Sequence, residues 1–329
     1  MADTYRIATY NTELSRDGPG LLLRDIARGG DAQIEAVLAV LAAADADVIA
    51  LQGFDYDLTG EALSRFAALA GYEHHFALQP NTGLTTGLDM DGDGLLGGPR
   101  DAQGYGRFAG AGGMAILSRY PILRDGVQDF STLLWEDVPG ALLPEVNGAP
   151  FPSAAARAAQ RLSTTGHWIV PIDLPEGALN VLTFHASPPV FDGPEDRNGR
   201  RNHDEIRLWQ QVLDGTFGPP PSSPFVIAGD ANLDPEDGQG RKAAITTLLA
   251  DQRLTPTAPE GHAGTDTVDW RDPVPGDLRV SYVLPSAELT VVDSAVLWPA
   301  PDTPMAETVA TASRHRLVWV DLAISAPSK

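Results

Sequence analysis

The apolar residues of this chain fall into short runs that are typical of buried β-strands, separated by stretches with helical periodicity. The runs predict strands at 5–11, 48–52, 72–78, 113–118, 160–172, 178–185, 225–228, 278–284, 289–298 and 317–324. Helices are predicted at 31–44 behind an Asp31 cap, at 59–69, from about 200 to 213, and at 241–250. No fixed repeat and no linker divides the chain, so we expect one domain over 1–329. We expect this domain to carry a Gly/Asp-rich loop insertion at about 81–113 and a surface insertion at about 135–159.

Small polar side chains stand at the ends of several predicted strands. They are Asn11 and Glu13, His185, Asp230 and Asn232, and Ser313 and His315. A carboxylate can hold a hard cation or orient a water, and an amide can donate to a phosphate oxygen without adding charge repulsion. Taken singly, these residues are explained by solvated turns and structural histidines. Taken together, they favour a site for phosphoester hydrolysis.

The irregular segment at 81–113 contains a pattern typical of a calcium loop. Aspartates at alternate positions followed by Gly94 direct several carboxylates toward one point. We expect a structural Ca²⁺ there, and its predicted ligands are Asp89, Asp91, Asp93, the Leu95 carbonyl and Asp101. Arg100 occupies the position of the bidentate glutamate, so we expect no complete EF-hand and only modest affinity. The alternative is a flexible acidic loop without an ion.

Arginines crowd the start of the predicted helix that ends near residue 213. Arg200 is one of them, and it is a candidate ligand of substrate phosphate because free N–H groups at a helix start favour anions. The alternative is that these arginines pair with acidic neighbours, which are Glu195, Asp196, Asp204 and Glu205.

The negative charge of the chain limits the classes of partner that it can bind. The sequence has 44 acidic and 23 basic residues and a net charge of −21, so duplex nucleic acid is disfavoured and a small phosphorylated substrate is favoured. No apolar run is long enough to span a membrane, and there is no cysteine. We expect a monomer without a signal peptide, although a removed leader would leave the same start. A calcium loop of modest affinity stays filled only where calcium is abundant, which favours a secreted or periplasmic protein.

Six short segments occur in a fixed order from end to end of the chain. They are Thr9-Tyr-Asn-Thr-Glu13, Asp47-Val-Ile-Ala-Leu-Gln52, Thr183-Phe-His185, Gly229-Asp-Ala-Asn232, Val280-Ser-Tyr-Val-Leu284 and Ser313-Arg-His-Arg-Leu317. In this order they resemble the endonuclease/exonuclease/phosphatase superfamily, which has the deoxyribonuclease I-like fold. The resemblance implies an α+β protein, a four-layer α/β-β/α sandwich of two packed mixed β-sheets flanked by helices. It also implies hydrolysis of phosphoesters by water with a divalent cation, Mg²⁺ or Mn²⁺.

The resemblance implies a role for each residue that matches a family motif. Asn11 would lie at the metal and the phosphate, and His185 would contact phosphate or protonate the leaving group. Asp230 would orient the water or the leaving oxygen. Asn232 would bind phosphate, and His315 would lie beside the scissile group.

Three positions depart from the family pattern around the cation. Glu13 would hold the metal, but the family's metal-binding glutamate after Leu-Gln is Gly53 here. The aspartate usual before Tyr-Val-Leu is Ser281, and the aspartate usual before the terminal histidine is Arg314. We expect Asp55 to supply the missing metal ligand and Arg314 to neutralise phosphate charge.

The pattern as a whole predicts a divalent-metal-dependent hydrolase of small-molecule or lipid-derived phosphoesters. One alternative is a catalytically weakened or inactive sandwich that acts as a calcium-stabilised binding protein, which the three departures favour. A second alternative is a nuclease, which the negative charge disfavours.

Overall fold

A computed structural model describes residues 3–271 and 273–325 of the chain. Its strands are β1 (Asp3–Leu14), β2 (Val48–Phe54), β3 (His74–Phe76), β4 (Gly113–Ser118), β5 (Gln128–Asp129), β6 (Glu145–Val146), β7 (Ala149–Pro150), β8 (His167–Leu174), β9 (Gly177–His185), β10 (Phe225–Asp230), β11 (Ser281–Pro285), β12 (Thr290–Val296) and β13 (Val318–Ile324). Its helices are α1 (Leu21–Arg28), α2 (Ala32–Ala44), α3 (Glu61–Ala70), α4 (Ala154–Ala159), α5 (Arg197–Leu213), α6 (Ala243–Leu249) and α7 (Pro304–Ala312). In the described part of the chain, no helix combines the length and the apolar character needed to cross a membrane.

The strands form two mixed sheets and one small hairpin. The first sheet has the order β12-β13-β1-β2-β4-β3, and the second has the order β11-β10-β9-β8-β5. In the first sheet β1 runs parallel to β2 and antiparallel to β13. In the second sheet β10 runs parallel to β9 and antiparallel to β11. The hairpin of β6 and β7 lies in the predicted insertion at 135–159.

Alternation of side chains along each strand builds the layers of the fold. Ile7 of β1 lies in a core with Val170 of β8 and Val226 of β10, so the two sheets pack face to face. Its neighbour Ala8 lies in a second core with helices α1, α2, α3 and α7. On the outer face of the second sheet, Ile227 packs in a third core with α5 and α6. Helices, sheet, sheet and helices therefore follow one another, which confirms the predicted four-layer α+β sandwich.

Three local features differ from the sequence-based expectation. Residues 160–166 are not part of a strand, because the carbonyls of Leu162 and its neighbours accept hydrogen bonds from the buried Arg201 side chain. Helices α1, α4 and α7 were not predicted. The insertion at 135–159 is not wholly on the surface, because Trp135 is buried in the core under α5.

Candidate active site

The predicted strand-end residues converge where the two sheets meet. Parallel pairing of β9 and β10 places His185 beside Asp230. Asn11 reaches across from β1, and its Nδ2 donates to Oδ2 of Asp230 at 2.9 Å. His315 follows α7, and its Nδ1 lies 3.5 Å from the same oxygen. Three predicted residues therefore surround the fully buried carboxylate of a fourth.

Hydrogen bonds on both oxygens hold the Asp230 carboxylate in one orientation. The backbone N–H of Asn232 donates to Oδ1 at 2.8 Å, and Asn11 donates to Oδ2. Asn232 has a left-handed φ of 50°, which asparagine tolerates, and its Nδ2 donates to the Ala186 carbonyl at 2.9 Å. Ser281 lies opposite Asp230 in β11, and its buried Oγ has no hydrogen-bond partner within the described residues. Ser281 therefore does not hydrogen-bond the terminal histidine, whose Nδ1 lies 3.5 Å from Asp230 Oδ2, also without a hydrogen bond.

Both histidines of the site have depressed basicity, and His315 is buried whereas His185 is partly buried. Burial lowers the pKa of His185 and of His315 below the ordinary value of 6.5, and the nearby Asp230 carboxylate offsets only part of that effect. Nε2 of His185 lies 3.9 Å from Asp230 Oδ2. Neutral imidazoles beside a carboxylate can accept a proton from water at neutral pH. The two histidines are thus suited to general-base chemistry and to hydrogen bonding with a substrate oxygen.

Glu13 is bound to Arg314 and not directed at the Asp230 carboxylate. Nε of Arg314 donates to Oε1 of Glu13 at 2.9 Å, Nη2 donates to the same oxygen, and the Arg314 backbone N–H donates to Oε2 at 2.8 Å. Burial raises the pKa of Glu13, but the hydrogen bonds from Arg314 together with the charges of His315 and Arg314 lower it below its ordinary value overall. The Arg314 guanidinium also lies over the Trp270 ring, 4.4 Å from its centroid, and Trp270 makes an edge contact with His315. A carboxylate expected to hold metal is therefore occupied by an arginine.

Gly53 leaves no room for a side chain where the resemblance implies a glutamate. Its φ is +68°, and a Cβ atom there would lie 2.5 Å from Asn11 Oδ1 and 2.9 Å from the Glu13 nitrogen. The close approach arises because β1 and β2 shift register between Asn11 and Leu14. The missing carboxylate is therefore a consequence of the backbone path as well as of residue identity.

The Asp55 carboxylate, which was expected to replace that glutamate, is hydrogen-bonded to neighbouring loops through both oxygens. Its Oδ1 accepts hydrogen bonds from Ser15 Oγ at 2.7 Å and from the Gly112 nitrogen at 2.8 Å, and its Oδ2 accepts from the Arg16 nitrogen at 2.8 Å. Burial raises the pKa of Asp55, and these hydrogen bonds offset part of the rise. Through these hydrogen bonds, the Asp55 carboxylate links the loops that contain Ser15, Arg16 and Gly112 to the end of β2. The residues at the strand ends therefore do not offer the set of carboxylates implied for Mg²⁺ or Mn²⁺.

The acidic loop contains a compact carboxylate group, but its members differ from the prediction. Asp89, Asp91 and Asp101 have ligand oxygens within 4.8 Å of one another, and no other group of three carboxylates or histidines this close occurs within residues 3–271 and 273–325. Asp93 is not in this group. Its Oδ1 accepts the backbone N–H of Leu95 at 2.7 Å. Three of the four predicted carboxylates therefore lie together, and Asp93 lies outside their group.

Arg200 makes no contact with the residues around Asp230 in the described part of the chain. Its Nε donates to the Glu195 carbonyl at 3.2 Å, within the same turn. The neighbouring Arg201 is buried, and burial lowers the pKa of its guanidinium to about 10. The structure thus brings Arg314 to the site and leaves Arg200 outside it.

A buried polar network under α5 supports the site and was missed from the sequence. Glu205 accepts hydrogen bonds from the backbone and the hydroxyl of Ser187 at 2.7 and 2.9 Å. Asn202 donates to the carbonyls of Ser187 and Ala231 at 2.7 Å each. These contacts tie together the loops that follow His185 and β10. The detectable signal is that polar residues 202 and 205 share the inward face of the helix with Ile206.

Two adjoining clefts open beside these residues. A cleft of about 410 Å³ has Gly53 and His185 in its wall. A larger cleft of about 890 Å³ shares Tyr105, Thr164 and Pro188 with it. Clefts of this size can hold a small organic ligand, and the smaller one would hold it beside His185.

The family model described as the Endonuclease/Exonuclease/phosphatase family matches residues 8–315, which confirms the resemblance found in the sequence. The search of curated proteins found no match.

Several solved structures have the same fold at low sequence identity. An endonuclease/exonuclease/phosphatase from Beutenbergia cavernae is 20% identical with a TM-score of 0.60, and the match covers 99% of this chain and 73% of that one. Sphingomyelinase C from Streptomyces griseocarneus is 18% identical with a TM-score of 0.53, covering 98% of this chain and 100% of that one. A beta toxin from Staphylococcus aureus with bound magnesium ions is 10% identical with a TM-score of 0.51, covering 97% and 99%. Identities this low show the fold alone.

Proposed function

Because the chain belongs to the endonuclease/exonuclease/phosphatase family, whose members are generally phosphoester hydrolases, we propose that it hydrolyses small-molecule or lipid-derived phosphoesters. One observation carries the proposal: Asn11, His185 and His315 converge on the buried carboxylate of Asp230. A carboxylate, two neutral imidazoles and an amide are sufficient to orient a water, take its proton and bind phosphate oxygens.

In the proposed reaction, water adds to phosphorus and the ester P–O bond breaks. Nδ1 of His315 lies 3.5 Å from Asp230 Oδ2 without a hydrogen bond; in the reaction this contact shortens so that Asp230 accepts from Nδ1–H, which leaves Nε2 of that histidine to accept the proton of the attacking water. His185 donates to a phosphate oxygen, the departing alkoxide takes a proton from solvent, and His315 returns the proton of the water to solvent. Each cycle then returns both histidines to the neutral form that their lowered pKa values favour.

The charge and the clefts support a small substrate. A net charge of −21 opposes the approach of duplex nucleic acid, whereas a single phosphate group is repelled far less. The cleft of about 410 Å³ beside His185 admits a phosphoester with a compact organic group. Two similar folds belong to a sphingomyelinase and to a 2',3'-cyclic phosphatase, so the fold is compatible with lipid and small-molecule phosphoesters.

The predicted cations have different support. For Mg²⁺ or Mn²⁺ the residues at the strand ends do not fit, because Glu13 is bound to Arg314 and Asp55 to its loops. For Ca²⁺ we propose a structural site formed by Asp89, Asp91 and Asp101, whose oxygens lie within 4.8 Å of one another.

The second candidate is a catalytically inactive binding protein with the same fold. The three departures from the family pattern, at Gly53, Ser281 and Arg314, favour it. The two candidates differ in one observable, which is turnover.

Hydrolysis assays test the proposal directly. Bis(4-nitrophenyl) phosphate, a lipid phosphodiester in detergent micelles and plasmid DNA are each incubated with the protein, with and without added Mg²⁺ or Mn²⁺. We expect cleavage of the first two and little cleavage of DNA. DNA cleaved faster than both others would support the nuclease alternative, and no turnover of any substrate under any condition would support the binding protein.

A further inference from the structure

We propose that the guanidinium of Arg314 stands in for the divalent cation, so that this chain binds phosphate and cleaves phosphoesters without one. The inference rests on the proposed function and concerns the same site. The fold family implies a divalent metal, but the residues at the strand ends do not form the set of ligands that this metal needs.

Neither position 53 nor Asp55 offers a free carboxylate to a cation. The +68° φ of Gly53 and the 2.5 Å approach of its would-be Cβ to Asn11 Oδ1 exclude a carboxylate at that position. Asp55, the nearest acidic residue along the strand, uses both oxygens to bind loops. A hard cation would keep Asn11 Oδ1 and few charged ligands.

Arg314 is held in a fixed position at the end of β1. It follows Ser313, whose Oγ donates to the Asn11 carbonyl at 2.8 Å and to Glu13 Oε2 at 3.2 Å, so the segment is fixed to the end of β1. Stacking on Trp270 and the hydrogen bonds to Glu13 fix the guanidinium itself. Its Nη1 has no hydrogen-bond partner among the residues that the structure describes. The side chain is 61% exposed, so that nitrogen can reach a ligand phosphate.

The departures from the family pattern also change the net charge of the site. Relative to the family pattern, glycine at position 53 removes one negative charge, and arginine at position 314 removes another and adds a positive one. Serine in place of the family's aspartate at position 281 removes a third negative charge, so the site gains four charges in total, whereas a divalent cation supplies two. The guanidinium therefore replaces the electrostatic contribution of the ion, and its planar N–H groups can bind phosphate in a fixed direction.

Chelation separates this inference from the family expectation. Hydrolysis of bis(4-nitrophenyl) phosphate is measured after extensive treatment with EDTA, and again after Mg²⁺ or Mn²⁺ is restored. We expect rates within about twofold of one another, because no step needs the ion. A rate that disappears with EDTA and returns with the metal overturns the inference while leaving the proposed function intact.

Variants of Arg314 test the role of the guanidinium. In EDTA, Arg314→Met should lose about 10²-fold in kcat/KM, the size seen when one preorganised donor is removed. Arg314→Lys should retain part of the activity, because it keeps the charge without the planar fork. Arg24→Met is the matched control: Arg24 is 53% exposed and pairs with Asp25, away from the site residues in sequence, and it should leave the rate unchanged. Equal rates for Arg314→Met and the wild type contradict the inference.

A binding measurement keeps the inference testable if no substrate turns over. Calorimetry with inorganic phosphate in EDTA should show binding by the wild type and by Arg24→Met, and binding at least tenfold weaker by Arg314→Met. In that case the proposed function fails and the inference about phosphate stands. Equal phosphate affinity in all three proteins, or none in the wild type, refutes it. Circular dichroism confirms that each variant is folded.

Discussion

The most specific structural prediction concerns Gly53, where the backbone itself excludes a side chain. In Gly53→Ala, the new Cβ would lie 2.5 Å from Asn11 Oδ1 and 2.9 Å from the Glu13 nitrogen. An alanine at this positive φ costs about 1–2 kcal/mol by itself. Relief of the collision requires movement of Asn11, whose hydrogen bond to the Asp230 carboxylate is worth roughly 1.5–3 kcal/mol. We expect a total loss of about 3–5 kcal/mol in the free energy of unfolding.

Gly60→Ala provides the control for backbone strain alone. Gly60 has a φ of +69° at the start of α3, and a Cβ there would meet no atom within 4 Å. Its substitution should cost only about 1–2 kcal/mol. Urea unfolding of both variants at pH 7, followed by circular dichroism, measures the difference. If the two variants lose equal stability, the collision with Asn11 is not real and the steric account of the missing glutamate is refuted.

Three further predictions concern the proposed base, the acidic loop and a buried histidine. His315→Ala should lower kcat/KM for bis(4-nitrophenyl) phosphate by about 10²-fold or more with the fold intact, and a loss under threefold would exclude it as the base. In calorimetry, Asp91→Ala should abolish the millimolar binding of Ca²⁺ and Asp93→Ala should preserve it, so equal effects would contradict the observed grouping. Burial lowers the pKa of His167 to about 3, so the unfolded chain takes up its proton first as pH falls below about 6.5. Stability should fall by about 2 kcal/mol from pH 6.5 to 5, less so in His167→Gln, and equal slopes would refute this.

The positions of the strand-end residues were predictable from the sequence for a simple reason. Buried runs such as 225–230 are long enough to identify a strand, and a strand end places the next polar side chains at the sheet edge. Asp230, Asn11 and His185 therefore appear together in both the sequence and the structure. Helices α1 and α7 escaped prediction because they are short and stabilised mainly by packing against the first sheet.

The roles of individual carboxylates were not predictable, because they depend on local hydrogen bonds. Asp55 and Asp93 have the spacing of metal ligands, yet their oxygens accept backbone N–H groups of nearby loops. Glu13 also has a ligand's position, but Arg314, three hundred residues later, reaches it across the fold. The sequence identifies which carboxylates could bind a metal, and only the contacts in the folded structure show which of them are not already hydrogen-bonded to protein groups.

Asp230 is the residue on which the whole account depends, because Asn11, Asn232, His185 and His315 all face it. The most direct test is the rate of bis(4-nitrophenyl) phosphate hydrolysis by Asp230→Asn. This variant keeps the shape of the side chain and removes its charge, and Asp45→Asn, an exposed carboxylate paired with Arg119, is the control. The account predicts a loss of roughly 10²-fold or more in kcat/KM for Asp230→Asn, with cooperative unfolding retained and the control unaffected. A folded Asp230→Asn protein that keeps more than about a tenth of the wild-type rate would contradict it.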